Sequence, residues 1–160
     1  LAKDKTPATP AVRVLRQHQV DFTPRPYAYE DKGGTEVAAR ELGLDEHQVI
    51  KTLVMEDEAG TPLVVLMHGD RQVSTKALAR ELGVKQVTPC DPAVVARLTG
   101  YQVGGVSPFG TKRQMPVYVQ RGILDLATIH INGGKRGFLV QMTPADLVRV
   151  LSPTPVDAEQ

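Results

Sequence analysis

Val49–His68 reads VIKTLVMEDEAGTPLVVLMH, and its two halves decide the fold class. Val49 to Glu56 is a run of β-branched and long apolar residues. Asp57-Glu58-Ala59-Gly60 is a turn, and Thr61 to His68 returns, so the stretch reads as a β-hairpin. The second arm contains LVVLM, apolar at every position, which predicts a strand buried on both faces. The first arm carries a charge where none is expected. Alternation puts Lys51 on the side of Val49, Leu53 and Met55. A lysine there either runs its stem along the sheet to a solvated ammonium or is held in a pocket for an anion. An inward ammonium without a counter-charge is costly, so the second case requires an anionic ligand or a carboxylate.

The flanking segments extend this to an α+β fold. Thr9-Pro10 supplies a cap and a proline at the first helical position, opening a helix that ends near Gln19. Val20–Tyr29, broken by Pro24 and Pro26, is an edge or irregular strand. Thr35 caps a helix over Glu36–Leu42, and Ser74 caps one over Thr75–Leu82; Gly43 and Gly83 stop them. Lys85–Pro89 is a short strand, and Asp91-Pro92 starts a fourth helix that Gly100 ends. Strands follow at Tyr101–Val106, Met115–Gln120 and Thr128–Ile131. Gly133-Gly134 turns the chain back into Phe138–Met142, and Thr143-Pro144 opens a last helix. The sum is about seven short strands and five helices without long strand–helix alternation, which disfavours a doubly wound parallel sheet. A curved or closed mixed sheet with helices outside is expected. Residues 9–151 form one domain, with 1–8 and 152–160 as flexible tails.

Composition sets the boundaries. The chain of 160 residues is 41% hydrophobic and 23% charged, the balance of a soluble globular domain. Aromatics are only 4%, too few for stacking platforms along single-stranded nucleic acid. A lone Cys90 excludes an internal disulfide, and LAKDKTPATP at the start has no apolar signal core, so a cytoplasmic protein is expected. No apolar run approaches the ~20 residues that span a bilayer, so no membrane partner is expected. Net charge is +1, but Pro92–Gly137 holds six basic residues and one acid, leaving 13 basic and 17 acidic residues elsewhere. Such segregation suits a basic face for a polyanion.

Two glycine-rich stretches accompany Lys51: TGYQVGGVSPFGTK at Thr99–Lys112 and NGGKRG at Asn132–Gly137. A Gly-Gly pair lets backbone amides approach a ligand, and such a loop can cradle an oxyanion or phosphate. His18, His47, His68 and His130 are scattered, so no metal site is expected. Cys90 reads as packing, Ser107 is in no G-x-S-x-G elbow, and no Walker A loop occurs. The sequence offers backbone amides, a lysine and positive charge, with no nucleophile, base, metal or cofactor of its own.

QVIKTLV around Lys51, TGYQVGGVSPFG at 99–110 and INGGKRG at 131–137, in this order, closely resemble the YbaK/EbsC family of aminoacyl-tRNA deacylases, relatives of the editing domain of prolyl-tRNA synthetases. The resemblance runs from about Thr9 to Leu151. It implies a six- to seven-stranded mixed sheet curved into a barrel, with helices packed outside. It implies metal-free hydrolysis of mischarged aminoacyl-tRNA, typically Cys-tRNA(Pro), with the tRNA(Pro) acceptor end and prolyl-tRNA synthetase as partners. Lys51 would hold the 3′ end of the tRNA, and Gly104 and Gly105 would offer main-chain contacts near the ester carbonyl. Substrate-binding positions would be Tyr27, Thr52, Val106, Ser107, Pro108, Asn132, Gly133 and Gly134; Lys112, Arg113, Lys135 and Arg136 would meet the tRNA. For a cysteinyl substrate, the cargo's own thiol would attack its ester to give a cyclic thioester. Asn132 stands where YbaK carries serine, and Leu139 where it carries an acid. Deacylases for alanine or serine therefore stay open, as does a non-catalytic module that binds the acceptor end.

Overall fold

A computed structural model describes residues 6–160. The expected lead-in lies outside the described residues at positions 1–5. Helix α1 (Pro10–Gln17) starts as its sequence predicts: the Thr9 hydroxyl accepts from the Val12 N–H at 3.1 Å. Strand β1 (Thr23–Pro26) follows, then α2 (Gly34–Leu42). Thr35 lies inside α2 rather than capping it, and its hydroxyl donates instead to the Glu46 carboxylate at 2.8 Å. The hairpin is β2 (Val49–Asp57) and β3 (Pro62–His68), in antiparallel register from Ile50 opposite His68 to Glu56 opposite Pro62. Every residue of β3 is buried. Then come α3 (Thr75–Leu82), β4 (Val87–Pro89), α4 (Pro92–Thr99), β5 (Val117–Gln120), β6 (Ile129–Lys135), β7 (Phe138–Met142), α5 (Pro144–Leu151) and β8 (Thr154–Val156).

The strands run β1-β7-β6-β2-β3-β5-β8, with β4 paired to β2 beside that path. Pairings of β2 with β6, β3 with β5 and β5 with β8 are parallel, and the others are antiparallel, so the sheet is mixed. It is not closed into the expected barrel. β1 and β8 are its two ends; β1 carries Pro24 and Pro26 and β8 carries Pro155, and proline lacks the N–H a further strand would need. The helices correspondingly cover both faces. Leu15 of α1, Leu98 of α4 and Leu147 of α5 join Ile50, Val54, Val64 and Leu66 in the main core. Leu78 and Ala79 of α3 pack with Met55, Leu63 and Val65 on the other face, where Ala38 and Ala39 of α2 meet Val49 and Leu139. Alternate residues of the hairpin thus serve opposite cores, as strand geometry demands.

Three further expectations are corrected. Tyr101–Val106 is a loop and not a strand, because Gly104 turns there with φ +92°. Gly133-Gly134 lies within β6 as a bulge between Asn132 and Lys135, and the chain reverses at Arg136-Gly137. Residues 152–160 are no flexible tail. β8 pairs with β5, Val156 and Ala158 are buried, and the Ala158 N–H donates to the Gln120 side chain at 2.8 Å. Among the described residues no helix is long and apolar enough to cross a membrane.

Two predictions follow the packing. Val156→Ala, which removes about two buried methyl groups, should lower unfolding stability by about 1.5 kcal/mol in a urea titration. A loss near zero would return this segment to a free tail. His130 on β6 is buried, its Nδ1 has no partner among the described residues, and burial, with Arg25 adding to it, pushes its pKa below 6.5. The unfolded state therefore binds its proton more readily. The stability His130 contributes is complete above pH 6.5 and is lost as pH falls through that value towards the lower folded pKa. The stability difference between about pH 7.5 and pH 5 should shrink in His130→Gln, measured by urea unfolding.

Candidate active site

The site begins at an interruption in the sheet. β2 pairs with β3 along its length, but its other edge meets β6 only at Val49 and Ile50 and β4 only from Met55 to Asp57. Lys51–Val54 have no strand beside them on that edge; the Val54 carbonyl accepts from the Cys90 N–H at 3.0 Å. A cleft of about 780 Å³ opens at this gap and reaches residues of both cores, Ile50, Val54 and Cys90 on one side and Val49, Leu53 and Leu139 on the other.

Lys51 lines the cleft, half-buried. Burial pushes its pKa down, and the Glu46 and Asp70 carboxylates oppose that. Both carboxylates have other partners: Glu46 accepts from Thr35, and Asp70 pairs with His47 Nδ1 at 2.8 Å. The His47 ring stacks on the buried His68 ring with centroids 3.7 Å apart, which fixes this wall. Thr52 also lines the cleft, and its buried Oγ1 has no partner among the described residues. Tyr27 is present too; burial, and secondly the neighbouring Tyr29, push its hydroxyl above the usual range, so it is a neutral donor at pH 7. Cys90 forms part of the apolar lining. Burial first, then Glu56 and Asp91, raise its thiol pKa, the opposite of what a nucleophile needs.

The glycine loop closes one side. Gly104 and Val106 line the cleft, while the Gly105 N–H donates to the Gln102 carbonyl at 2.8 Å and closes the turn. A Cβ on Gly104 would come 2.5 Å from the Tyr29 hydroxyl. On Gly105 it would come 2.7 Å from the Arg136 nitrogen. The loop therefore lies directly on backbone of the β6–β7 corner. Its base is closed by Tyr101, whose hydroxyl donates to the Phe109 carbonyl at 2.5 Å. Burial pushes the Tyr101 pKa up to about 12, so this donor stays protonated.

Asn132 and Arg136 complete the lining. The other expected positions stand behind or beside it. Ser107 is buried, its Oγ accepting from the Phe109 N–H at 3.2 Å, and Pro108 is buried with it. The Gly133 carbonyl accepts from the Thr9 hydroxyl, and the Gly134 N–H donates to Asn132 Oδ1. The Lys112 and Arg113 amides cap the last carbonyls of α4, donating to Thr99 and Leu98, and their exposed side chains, like that of Lys135, lie outside the cleft. Sequence reasoning missed Tyr29 as a wall of the site, although its two-residue spacing from Tyr27 was the available signal. It missed the His47–Asp70 pair, which nothing short of the fold brings together. Among the described residues no group of three or more His, Cys, Asp or Glu is placed to hold a metal ion.

The family model of the aminoacyl-tRNA editing domain matches residues 30–150. The chain belongs to the aminoacyl-tRNA editing domain family. A relative from Enterococcus faecalis, named "Putative Cys-tRNA(Pro)/Cys-tRNA(Cys) deacylase EbsC", is 33% identical over 146 residues, 90% of this chain and 89% of that one. The likeness to the YbaK/EbsC group read from three motifs thus extends to nearly the whole chain. A proline–tRNA ligase of Syntrophotalea carbinolica is 32% identical over 94 residues, 58% of this chain but only 16% of the ligase. A crystal structure described as "a putative trans-editing enzyme for prolyl tRNA synthetase" superposes with a TM-score of 0.82, covering 97% of this chain and 99% of that one at 23% identity, which shows a shared fold.

The close backbone approach yields a test of the site's architecture. Gly105→Ala should cost about 1–3 kcal/mol of stability through forced displacement of the loop. Val103→Ala at the exposed loop tip should stay within about 0.5 kcal/mol. Thermal unfolding of both variants checks this, and equal effects would mean the loop is not docked.

Proposed function

We propose that the chain is a trans-editing aminoacyl-tRNA deacylase, with Cys-tRNA(Pro) as its leading substrate. The observation that carries the reading is one cleft, in a chain of the editing family, lined by Lys51, Thr52, Gly104 and Val106 together. The substrate is a 3′-terminal adenosine carrying an amino acid as an ester. The Lys51 ammonium would pair with phosphate oxygens or donate to ribose oxygens at that end. Amides at Gly104 and Val106, neither taken up by a hydrogen bond among the described residues, would face the ester carbonyl and stabilise the negative charge that develops on its oxygen. The Thr52 hydroxyl would meet a polar group of the bound ester. In a cysteinyl ester the thiol would attack its own carbonyl, its proton would pass to the departing ribose oxygen, and water would open the resulting cyclic thioester. The protein would then act by orientation and charge stabilisation alone. The apolar lining with Leu139 and Cys90 suits a small, weakly polar cargo. The setting proposed is the cytoplasm, with prolyl-tRNA synthetase as the source of the mischarged product.

The test is a deacylation panel of Cys-, Ala- and Ser-tRNA(Pro). Cys-tRNA(Pro) should be cleaved fastest, well above its rate in buffer, and Lys51→Ala should lower kcat/KM by about 100-fold. Preferred cleavage of the alanyl or seryl ester would move the specificity and keep the activity. Salt-dependent tRNA binding with no turnover would replace the enzyme with a binding module.

A further inference from the structure

Arg136 sits where a phosphate contact would be expected, yet its bonding is inward. Its guanidinium carbon lies 5.4 Å from the centroid of the Tyr29 ring. Its Nε donates to the Val103 carbonyl at 2.9 Å. One residue further along the same loop, the Gly104 carbonyl accepts from Asn132 Nδ2 at 3.3 Å. Asn132 is itself fixed, because its Oδ1 accepts the Gly134 N–H at 2.7 Å and the Lys135 N–H at 3.2 Å. Two adjacent loop carbonyls are thus held by two side chains of the β6–β7 corner, and Gly105 touches that corner's backbone. When a carbonyl is held on one side of a peptide plane, the N–H on the other side is aimed. The Val103 carbonyl shares its plane with the Gly104 N–H, so the bond from Arg136 orients that amide.

We infer that Arg136 is a positioning residue which, seated on the Tyr29 ring and bonded to the Val103 carbonyl, aims the Gly104 amide into the cleft. The inference rests on the deacylase reading for its catalytic consequence but not for its geometry. It reassigns Arg136 from holding tRNA to shaping the loop that faces the ester. Lysine separates the two roles. An ammonium serves a phosphate as a point charge, but it has no planar fork to lie over a ring while donating in plane to a carbonyl.

The experiment uses the full chain with Cys-tRNA(Pro), enzyme in excess, at two salt concentrations. Arg136→Lys should lower the saturating rate constant about 10-fold or more. Its half-saturating concentration should stay within about twofold, and its salt dependence should be unchanged. Tyr29→Ala should reproduce that pattern, and Tyr29→Phe, which keeps the ring face, should rescue it. If Arg136→Lys keeps its rate while Arg136→Ala binds more weakly with a salt slope lower by about one, Arg136 is a phosphate contact and the inference is overturned. Amide hydrogen exchange over residues 103–106 provides a second readout that needs no turnover. Exchange should quicken in Arg136→Lys and Tyr29→Ala; unchanged exchange overturns the inference. If wild-type protein cleaves no ester but exchange responds as expected, the clamp stands and the deacylase reading falls. Arg136 is exposed, so its variants should fold, and an unfolding midpoint recorded for each verifies that.

Discussion

The outer edge of β2 has too few partners, and the rest of the site is arranged around that shortage. A strand in a sheet normally meets a neighbour on each side, because unpaired peptide groups away from water are costly. β2 satisfies one edge completely with β3 and divides the other between β6 at its start and β4 at its end. The residues between, Lys51 to Val54, border the cleft. A strand so exposed needs rigid support from behind. β3 supplies it with seven buried residues, of which Val64 and Leu66 pack into the main core and Leu63 and Val65 into the smaller cluster around Leu78. The deepest part of the fold therefore stands directly behind its most open part.

The two glycine motifs play different parts in one joint. In the first, Gly104 takes a left-handed turn against Tyr29, and Gly105 lets the loop backbone reach the β6–β7 corner. In the second, Gly133 and Gly134 make room within β6: a Cβ on Gly133 would strike the Phe138 ring, and one on Gly134 would come 2.7 Å from the Tyr101 ring. Tyr101 also fastens the base of the first motif through Phe109. The glycines thus allow close approach from both sides, and Asn132 joins them with one amide group. Its oxygen accepts two backbone N–H groups, and one of its two N–H donors goes to the Gly104 carbonyl.

Features governed by neighbours in sequence were legible before the fold. The hydroxyls of Thr9, Ser74 and Thr143 each accept a backbone N–H at the start of their helices, and Gly43, Gly83 and Gly100 each end a helix in the left-handed region. The hairpin register follows from its alternation. Features set by distant chain were not legible. Closure of the sheet depends on whether β1 and β8 meet, and no local pattern states that. The last nine residues looked like a tail because proline and acid dominate them. Their two-residue spacing of Val156 and Ala158 acquires meaning only when β5 and α3 lie beside it. Within the site, Lys51 was identifiable because a lysine in an apolar strand is out of place. Lys112, Arg113 and Lys135 were identifiable only as charges, and charge alone does not distinguish a cleft from an open surface.

Lys51 stands between opposing influences in this arrangement. Burial favours the neutral amine, while Glu46 and Asp70 favour the ammonium. Neither carboxylate forms an ion pair with it; Glu46 accepts from Thr35, and Asp70 pairs with His47. The carboxylates therefore oppose the effect of burial without bonding to the ammonium directly. A direct ion pair would have lowered the cost of burial and blocked the cleft. Holding the counter-charges one step away leaves the hydrogen bonds of the Lys51 side chain available at the gap in β2. This balance matters more than the lysine's presence alone. It also explains why the wall carrying Glu46, His47 and Asp70 is fixed by a ring stack and a threonine hydroxyl rather than left to solvent.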